Sequence, residues 1–537
     1  MMFSRALLCL CVFGLLGLNC RTAQTETNST APLETVSVSN NSAPADTILL
    51  PPKREFRAVW IATVENMDWP SRKGLSPEIQ QREFRELLDV HSGAGFNSVI
   101  VQVRAAADAF YAKSPEPWSE WLMGRQGQPP YPFYDPLEFM IKEAHSRNLE
   151  FHAWLNLDRA TYSPKSSIIP THISRHKPEW LITFEGKKLF NLGIPEVRTY
   201  IAGIMANVVR QYDVDGIHFD DYFYPYSAPN QILGDELTYR AYNNGMNIHD
   251  WRRDNVDKLI LQLRDSIRTI KPKIKFGISP FGVWRNQKED PQGSATVAGV
   301  TSYGTLYADT RKWIREGWID YVAPQVYFDT EFERVPFRTL VDWWTQNKGN
   351  RHLYIGMAAY RVGQPHPRDK AWLRPGQMPI QLRHMRSREQ VSGSIFFSAH
   401  SIFSNPLGIR DSLRNDFFRY PAMIPTMPWK DNIAPLPPRD LKVAALEEGI
   451  ELFWQPSAKA PDGDRARYYA LYRFSDQQEQ RIDDPRNIIA ICSGEYTTRF
   501  LDKAVEPKKR YTYVVTAFDR LHNESLGTAI PSPIQAL

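Results

Sequence analysis

Short apolar runs alternate with amphipathic helical patterns from Arg54 to about Asn415. Eight runs have the length and flanking turn residues of strands: Phe56–Thr63, Ser98–Arg104, Phe151–Asn156, Gly216–Asp220, Ile274–Ser279, Tyr321–Tyr327, Leu353–Ala358 and Ser394–Ser398. Helical periodicity fills the intervals, for example at 76–94, 136–147, 195–212, 251–270 and 306–316. This alternation predicts an α/β fold, a (β/α)8 TIM barrel over residues 54–420. A doubly wound open sheet is the alternative, but the stretch TVENMDWP after the first strand is not its usual Gly-rich loop.

The pattern changes after the proline-rich segment 421–437, which we interpret as a linker. Residues 438–537 carry short strands separated by turns, a pattern typical of a small all-β sandwich. Trp454 and the late strand RYTYVVTAFD resemble those of a fibronectin type III module. Such a module is a spacer or a binding platform, so an envelope protein is its candidate partner. We expect residues 21–430 to fold and function without it.

The N-terminus has the pattern of an export signal. Arg5 precedes an apolar run at 6–18, and Cys20 ends the stretch LLGLNC, which resembles a bacterial lipobox. The run is too short to span a bilayer comfortably, so we predict a signal peptide at 1–20 with lipidation of Cys20. Simple secretion and an uncleaved anchor are the alternatives. Residues 21–53 predict a flexible tether, and the lipid anchor would hold the protein on a membrane of the cell envelope, facing the periplasm or on the outer membrane.

Composition and the absence of certain motifs exclude several classes of function. The 537 residues carry a net charge of +5 without a long basic cluster, so we expect no nucleic-acid partner. The four cysteines include two in the apolar signal run, which excludes a disulfide framework and a cysteine-based zinc site. We find no Walker loop, G-x-S-x-G elbow or H-E-x-x-H motif, and we predict no cofactor and no metal. Aromatic residues make up 12% of the chain, and aromatic platforms suit sugar rings.

Strand alternation decides which side chains face the lumen of the predicted barrel. In the fourth predicted strand, GIHFDD, the apolar Ile217 and Phe219 should face the surrounding helices, which turns His218 and Asp220 inward. Asp220 then stands at the C-terminal end of the strand, where such barrels carry their active sites. A buried carboxylate is costly without a function or a partner. Asp221 begins the following loop.

Polar and aromatic side chains from other strands and loops should meet at the same end. The predicted substrate-binding residues are Arg104, His152, Trp154, Asn156, Arg159, His218, Tyr222, Tyr224, Gln325, Tyr327, Trp60 and Trp284. A structural core would not collect Arg, Asn and Gln at these points, so we predict an active site or a ligand cleft. Carboxylates framed by Trp, Tyr and amides suit glycoside hydrolysis, in which one carboxyl protonates the leaving oxygen and another attacks carbon or activates water.

At these residues the chain resembles the glycoside hydrolase family 10-like proteins of the bacterial envelope. The matching stretches are RAVW from Arg57, DWP from Asp68, QVR from Gln102, DAFY from Asp108, HAWLN from His152, DGIHFDDYFYP from Asp215, ISPFGVWR from Ile278 and APQVY from Ala323. The resemblance implies a TIM barrel and activity on a polysaccharide, with peptidoglycan strands as the candidate substrate. It leaves the catalytic pair open.

Four aspartates are candidates for catalysis: Asp220, Asp329, Asp221 and Asp108. Asp329 should point inward at the end of the sixth strand, so we predict that it partners Asp220. A pair on strands four and six resembles the arrangement in α-galactosidase-like barrels, which would make Asp220 the nucleophile or base and Asp329 the proton donor. Asp108 and Glu65 are held in reserve for the acid.

The chain departs from the family pattern at two places. Asn191 stands in FNLG where an aspartate is usual, and Leu157-Asp158 follow Asn156 where Pro-Tyr is usual. An exported glycoside hydrolase is our leading hypothesis, and Asn191 keeps a non-catalytic glycan-binding protein open as the alternative. A carbohydrate esterase is a weaker third hypothesis, because we can assemble neither a serine–histidine pair nor a metal-binding set.

Overall fold

The computed structural model describes residues 51–365 and 370–537. The predicted signal peptide, Cys20 and the tether up to residue 50 lie outside the described residues. Within the described ranges, no helix combines the length and the apolar character that crossing a bilayer requires. The location of the protein in the cell envelope stays a prediction.

Parallel strands close into an eight-stranded barrel in the first part of the described chain. The strands up to the end of the barrel are β1 Phe56–Ile61, β2 Ser98–Arg104, β3 Glu150–Leu155, β4 Leu181–Phe184, β5 Lys187–Phe190, β6 Gly216–Phe219, β7 Lys275–Ile278, β8 Tyr321–Val322, β9 His352–Met357 and β10 Val391–Phe396. The order around the barrel is β1-β10-β9-β8-β7-β6-β3-β2, and β4 and β5 form a separate hairpin. The predicted TIM barrel is confirmed.

Helices cover the outside of the barrel. They are α1 Pro77–Gly93, α2 Glu120–Met123, α3 Pro136–Ser146, α4 Ile173–His176, α5 Pro195–Gln211, α6 Glu236–Tyr242, α7 Ile248–Ile270, α8 Thr310–Arg315, α9 Phe337–Asn347, α10 Gln377–Arg386, α11 Ala399–Ser404 and α12 Ile409–Ser412. Pro77, Pro136 and Pro195 each occupy a first turn, where the missing N–H costs no hydrogen bond. The apolar helix faces pack on outward strand residues such as Ile217 and Phe219.

Strand β8 is shorter than the sequence predicts, since it comprises only Tyr321–Val322. Pro324 has no N–H to donate to a ladder, so regular pairing stops there. Pairing continues only as isolated bridges from Gln325 to its two neighbours. Asp329 lies in the loop that follows, so the prediction that the sixth strand runs to Tyr327 is wrong.

A column of hydrogen-bonded side chains fills the barrel lumen. Trp60 Nε1–H donates to His218 Nε2 at 3.1 Å, and the Tyr321 hydroxyl joins Nδ1 of His218 (3.0 Å) to Nδ1 of His152 (2.9 Å). His152 Nε2 lies 3.1 Å from Glu150 at the start of β3. One set of tautomers satisfies these bonds, with a neutral ring at His218. Burial agrees with this, because it lowers the pKa of His218 well below its ordinary value.

The C-terminal part of the chain forms two antiparallel sheets. Their strands are β11 Arg439–Leu446, β12 Gly449–Gln455, β13 Tyr468–Ser475, β14 Ile488–Ser493, β15 Arg499–Asp502, β16 Arg510–Phe518, β17 Thr528–Ala529 and β18 Ile534–Gln535. One sheet has the order β11-β12-β15, and the other has β14-β13-β16-β17 with β18 beside β16. Trp454 and Tyr469 meet in the core with ring centroids 5.6 Å apart. The predicted all-β sandwich is confirmed, and its fibronectin type III character stays a prediction.

The sandwich packs against the N-terminal face of the barrel. His522 of the sandwich lies 2.6 Å from the Glu150 carboxylate, which also binds Lys275 of β7. Arg467 binds Asp215, just ahead of β6, at 3.0 Å. Both carboxylates are buried. Arg467 balances part of the charge of Asp215, whereas His522, whose pKa burial lowers to about 4, is a hydrogen-bond partner of Glu150. These contacts argue against the expected independence of the barrel.

Hydrogen bonds and ion pairs also hold the predicted linker against the barrel and the end of the predicted tether against the sandwich. Trp429 Nε1–H and Lys430 Nζ, in the segment 421–437, bind Asp320 at 2.9 and 2.8 Å. Lys53 binds Glu524 of the sandwich at 2.6 Å. The barrel and the sandwich belong to one compact unit.

Candidate active site

Two adjacent aspartates stand at the C-terminal end of β6. Asp220 and Asp221 follow Phe219, the last residue of the strand, and are only 6% and 2% exposed. Ile217 and Phe219 hold the strand in the outer core, which turns His218 and Asp220 the other way, as the alternation predicts. The strand therefore delivers buried carboxyl groups to the end of the barrel where catalysis is expected.

Asp220 accepts hydrogen bonds from three neighbours. Its Oδ2 accepts from Trp154 Nε1–H at 3.1 Å and from Asn156 Nδ2–H at 3.4 Å, and its Oδ1 accepts from the Tyr222 N–H at 3.4 Å. Burial raises the pKa of Asp220, while the Arg159 guanidinium and these donors oppose the rise. The donors stabilise the charged form and hold the carboxylate in one orientation.

Asp221 has different partners. Its Oδ2 accepts a hydrogen bond from the Tyr226 hydroxyl, and the Gln325 side chain is a second partner. Gln325 Nε2–H also donates to the carbonyl of Ser279 at 2.9 Å, which fixes the amide in place. Burial, and then the charge of Asp220, raises the pKa of Asp221 to about 6. Asp221 therefore keeps its proton to a higher pH than an exposed aspartate does.

A third carboxyl group, Asp158, joins the cluster from the loop after β3. It is 3% exposed, and its Oδ1 has no hydrogen-bond partner within the described ranges. Burial raises its pKa to about 7; Arg159 opposes the rise, and Asp220 and Asp221 add to it. A buried carboxyl oxygen without a partner is available to a ligand. Asp158 is not among the residues predicted from the sequence to be catalytic, although its place just beyond the inward Asn156 was a usable signal.

Arg159 and the neighbouring aromatic rings frame the carboxyl groups. The Arg159 guanidinium lies 4.1 Å from the ring centroid of Tyr222, and the backbone N–H of Arg159 donates to Asn156 Oδ1 at 3.0 Å. The ring of Tyr327 lies 6.1 Å from that of Phe397. The structure thus brings these predicted residues together: Asp220, Asp221, Trp154, Asn156, Arg159, Tyr222, Gln325 and Tyr327.

Trp60, His152 and His218 lie in the lumen column instead of in an open cleft. Each is at most 2% exposed, and each is already hydrogen-bonded within the column. His218 Nε2 also lies 2.9 Å from Ser279 Oγ. These side chains support the cluster, and the prediction that they contact substrate is corrected accordingly.

Arg104 turns away from the predicted cleft. A bulge after Gln102 sets Arg104 opposite Leu155, which belongs to the outer core. Its guanidinium forms a buried bidentate ion pair with Glu116, with both N–O distances at 2.6 Å. The prediction that Arg104 lies in the cleft is therefore wrong. It assumed strict alternation along the strand, and the bulge interrupts that alternation.

Two of the four candidate acids stabilise turns. Asp108 Oδ1 accepts from the Ala106 N–H at 3.1 Å, and burial raises the pKa of Asp108 to about 6. Asp329 Oδ1 accepts from the Glu331 N–H at 2.6 Å, in the loop ahead of α9. In the described part of the chain, neither forms a hydrogen bond or an ion pair with Asp220. Catalytic carboxyl groups of glycosidases stand roughly 5 to 9.5 Å apart across the substrate and need no direct bond, so the predicted Asp220–Asp329 pair stays a prediction.

Tyr224 and Trp284 belong to the layer between strands and helices. Tyr224 packs edge-on against Tyr307 with a centroid distance of 5.0 Å. Trp284 stacks on Trp343 at 5.9 Å and donates Nε1–H to Asp309 at 3.1 Å. Both are buried in the outer core, so their predicted contact with substrate is also corrected.

Asn191 lies in a turn ahead of α5. Its Oδ1 accepts from the Gly193 N–H at 3.1 Å, and its Nδ2–H donates to Thr238 Oγ1 at 2.7 Å. The departure from the family pattern therefore concerns this turn and leaves the carboxyl cluster intact.

Other acidic groups and cavities lie away from the barrel mouth. Among the described residues, the acidic group close enough to share a cation is Asp431, Asp462 and Asp464, and Lys273 Nζ already lies 2.5 to 3.0 Å from each. A crevice of about 470 Å³ lies between the N-terminal face of the barrel and the sandwich, and a second of about 660 Å³ lies beside it, lined mainly by barrel residues with Ile491 from the sandwich. We place the candidate site at the carboxyl cluster, because (β/α)8 enzymes carry their chemistry at the C-terminal ends of the strands.

Comparisons with known proteins show the family of the chain. Residues 55–374 match the family model described as Glycosyl hydrolase-like 10. The chain is 45% identical over 479 residues to Glycosyl hydrolase YngK of Bacillus subtilis, which covers 88% of this chain and 92% of YngK. It is 34% identical over 391 residues to Glycosyl hydrolase DigH of Escherichia coli, which covers 66% of this chain and 88% of DigH.

Two solved structures resemble the chain more distantly. The PgaB (BpsB) glycoside hydrolase domain of Bordetella bronchiseptica is 15% identical with a TM-score of 0.44, covering 68% of this chain and 99% of that one. The catalytic domain of β-amylase from Paenibacillus polymyxa is 9% identical with a TM-score of 0.43, covering 68% and 98%. The family match spans the loops that carry all three clustered aspartates. This chain belongs to the glycosyl hydrolase-like 10 family.

Proposed function

We propose that the protein is a glycoside hydrolase that acts on a cell-envelope glycan, with peptidoglycan strands as the candidate substrate. The observation that carries the proposal is the buried cluster of Asp158, Asp220 and Asp221, framed by Trp154 and Asn156. Such a cluster can hold a charged and a protonated carboxyl side by side, which is what cleavage of a glycosidic bond requires.

The hydrogen bonds suggest a division of roles. Asp220, with its three donors and the nearby Arg159, is the base or nucleophile. Asp221, with a pKa raised to about 6, is the proton donor to the leaving oxygen. Asp158, with a pKa raised to about 7, is protonated near neutral pH and donates a hydrogen bond to the substrate.

The proposed location in the cell envelope rests on the sequence of the N-terminus. The predicted signal peptide, the lipobox-like Cys20 and the tether would hold the barrel beside the glycan of the envelope. The C-terminal sandwich retains an envelope protein as its candidate partner.

Purified protein incubated with peptide-stripped peptidoglycan tests this function. We expect mass spectrometry to detect released saccharides with the wild type and none with Asp220→Asn. Asp265→Asn is the control, because the Asp265 side chain is 59% exposed on α7 and lies outside the carboxyl cluster. Binding of the glycan without any release would instead support the non-catalytic glycan-binding alternative.

A further inference from the structure

A continuous series of side chains follows the rim of the barrel mouth. It passes through the loops after β2, β3, β6, β7 and β8, which are consecutive around the barrel. We call it the aromatic arc, and its members are Trp121, Tyr162, Arg159, Tyr222, Tyr226, Phe281, Phe328 and Phe332. The carboxyl groups of Asp220 and Asp221 sit on β6, the middle strand of the five.

One arm of the arc runs from the middle toward β2. The Arg159 guanidinium lies between two tyrosines, 4.1 Å from the ring centroid of Tyr222 and 5.6 Å from that of Tyr162. The Tyr162 ring then meets Trp121 edge-on at 5.8 Å. Tyr162 also hydrogen-bonds with the exposed Glu65 at the rim.

The other arm runs from the middle toward β8. Tyr222 and Tyr226 have ring centroids 5.8 Å apart, and Phe281 and Phe328 follow at steps of 6.3 Å each. Phe328 and Phe332 are nearly parallel, 5.9 Å apart. The whole series is therefore a continuous row of side chains, each in contact with the next.

Every member of the arc remains partly accessible to solvent, and Phe332 is 39% exposed. Apolar rings left open in a row are characteristic of a binding surface. The arc also interleaves rings with the hydroxyls of tyrosines and the Arg159 guanidinium. This matches a glycan, whose sugars present apolar C–H faces and hydroxyl edges in turn.

We propose that the aromatic arc binds an extended polysaccharide chain with subsites on both sides of Asp220, so that the enzyme cleaves within long strands. This inference rests on the proposed function, because the two arms are subsites on either side of a cleavage point only if the carboxyl groups between them are catalytic. A single short saccharide would occupy only the middle of the arc, whereas a longer chain would reach Trp121 on one side and Phe332 on the other.

Calorimetry on the full chain in an Asp220→Asn background, which prevents cleavage, tests the arc. The probes are β-1,4-linked N-acetylglucosamine oligomers of two, four and six units. We expect affinity to rise with length, and Trp121→Ala and Phe332→Ala each to weaken hexamer binding by about tenfold while changing dimer binding little. Phe453→Ala is the matched control, since Phe453 is 37% exposed on the sandwich, and it should bind like the parent.

Calorimetry, combined with the peptidoglycan cleavage assay applied to the wild type and to Trp121→Ala and Phe332→Ala in the otherwise wild-type chain, separates this inference from the proposed function. Equal affinities for all lengths, no hexamer binding, or full hexamer affinity in both arm variants would overturn the arc. Length-dependent binding that the arm variants weaken, combined with no cleavage by the wild type, would leave the arc standing and remove the hydrolase assignment. Cleavage with unchanged product lengths in both arm variants would remove the arc alone.

Discussion

At the scale of single residues, three aspartates within one cluster have different surroundings. Asp220 accepts three hydrogen bonds, whereas Asp221 is bound to a hydroxyl and an amide, and one oxygen of Asp158 has no partner among the described residues. Because burial favours the neutral form of a carboxyl, the number of donors decides which group carries the charge. This is the physical basis for assigning an acid and a base within one site.

Replacement of Asp220 by asparagine removes the charge and keeps the shape. We expect turnover on peptide-stripped peptidoglycan to fall by about 10³-fold or more, because loss of a catalytic group costs at least this much. The unfolding temperature should remain close to that of the wild type or rise, since burial disfavours the charged form. Turnover at the wild-type level would show that Asp220 is not catalytic.

Replacement of Asp158 by asparagine should stabilise the fold at high pH. The pKa of Asp158 is raised to about 7 in the fold, from an ordinary value of 3.8. Between these values the unfolded chain loses the proton first, so wild-type stability falls as pH rises through this window. Asparagine does not titrate, and the variant should therefore gain on the order of 1–3 kcal/mol relative to the wild type between pH 4 and pH 8.

Urea unfolding at several pH values measures this gain. Asp265→Asn is the control, because the Asp265 side chain is 59% exposed and its replacement should give no such trend. A stability difference between Asp158→Asn and the wild type that is the same at pH 4 and pH 8 would contradict the raised pKa.

At the scale of elements, the barrel strands are tied together through the lumen column. Tyr321 is the central link, since its hydroxyl joins His218 on β6 to His152 on β3. The column ends at Glu150, on the face that the sandwich covers. A fully satisfied polar network of this kind fixes the relative positions of the strands that carry the site.

Tyr321→Phe should weaken the barrel without touching the carboxyl cluster. The change leaves two buried imidazole nitrogens without a partner, which should lower the free energy of unfolding by about 2–4 kcal/mol. Tyr354→Phe is the matched control, because the Tyr354 hydroxyl is also in the lumen but pairs with His352. We expect it to cost about half as much in urea denaturation, and equal losses would rule out a linking role for Tyr321.

At the scale of the whole molecule, the sandwich supplies partners for buried charges of the barrel. His522 contacts Glu150, and Arg467 and Arg520 contact Asp215. Neighbouring cations hold the pKa of Asp215 below its ordinary range against the effect of burial. The sandwich is thus part of the electrostatic balance of the barrel, in addition to any role as a platform.

A chain that ends after residue 433 should fail to fold as a stable barrel. Removal of the sandwich exposes the N-terminal face, takes Arg467 and Arg520 away from Asp215, and removes the hydrogen bond between His522 and Glu150. Breaking a buried ion pair from one side typically costs about 3–5 kcal/mol. Circular dichroism melting and gel filtration, with the full chain as the reference, check this. A soluble truncated barrel with a cooperative transition and full activity would restore the independence that the sequence suggested.

Local sequence patterns were enough to predict the architecture and the position of Asp220 at the C-terminal end of its strand. Alternation within strands and helical periodicity are local properties, so the eight-stranded barrel and the inward phase of His218 and Asp220 could be predicted from neighbouring residues alone. The same holds for Trp154 and Asn156, which continue the phase of β3 to its end.

Only the tertiary structure decided which carboxyl groups meet. The bulge that turns Arg104 to Glu116, and the interruption at Pro324 that leaves Asp329 in a turn, break the local periodicity on which the prediction depended. Asp158 joins Asp220 because loops from different strands converge at the barrel mouth. Such convergence, like the contact of the sandwich with the barrel, depends on residues far apart in sequence, and local patterns do not encode it.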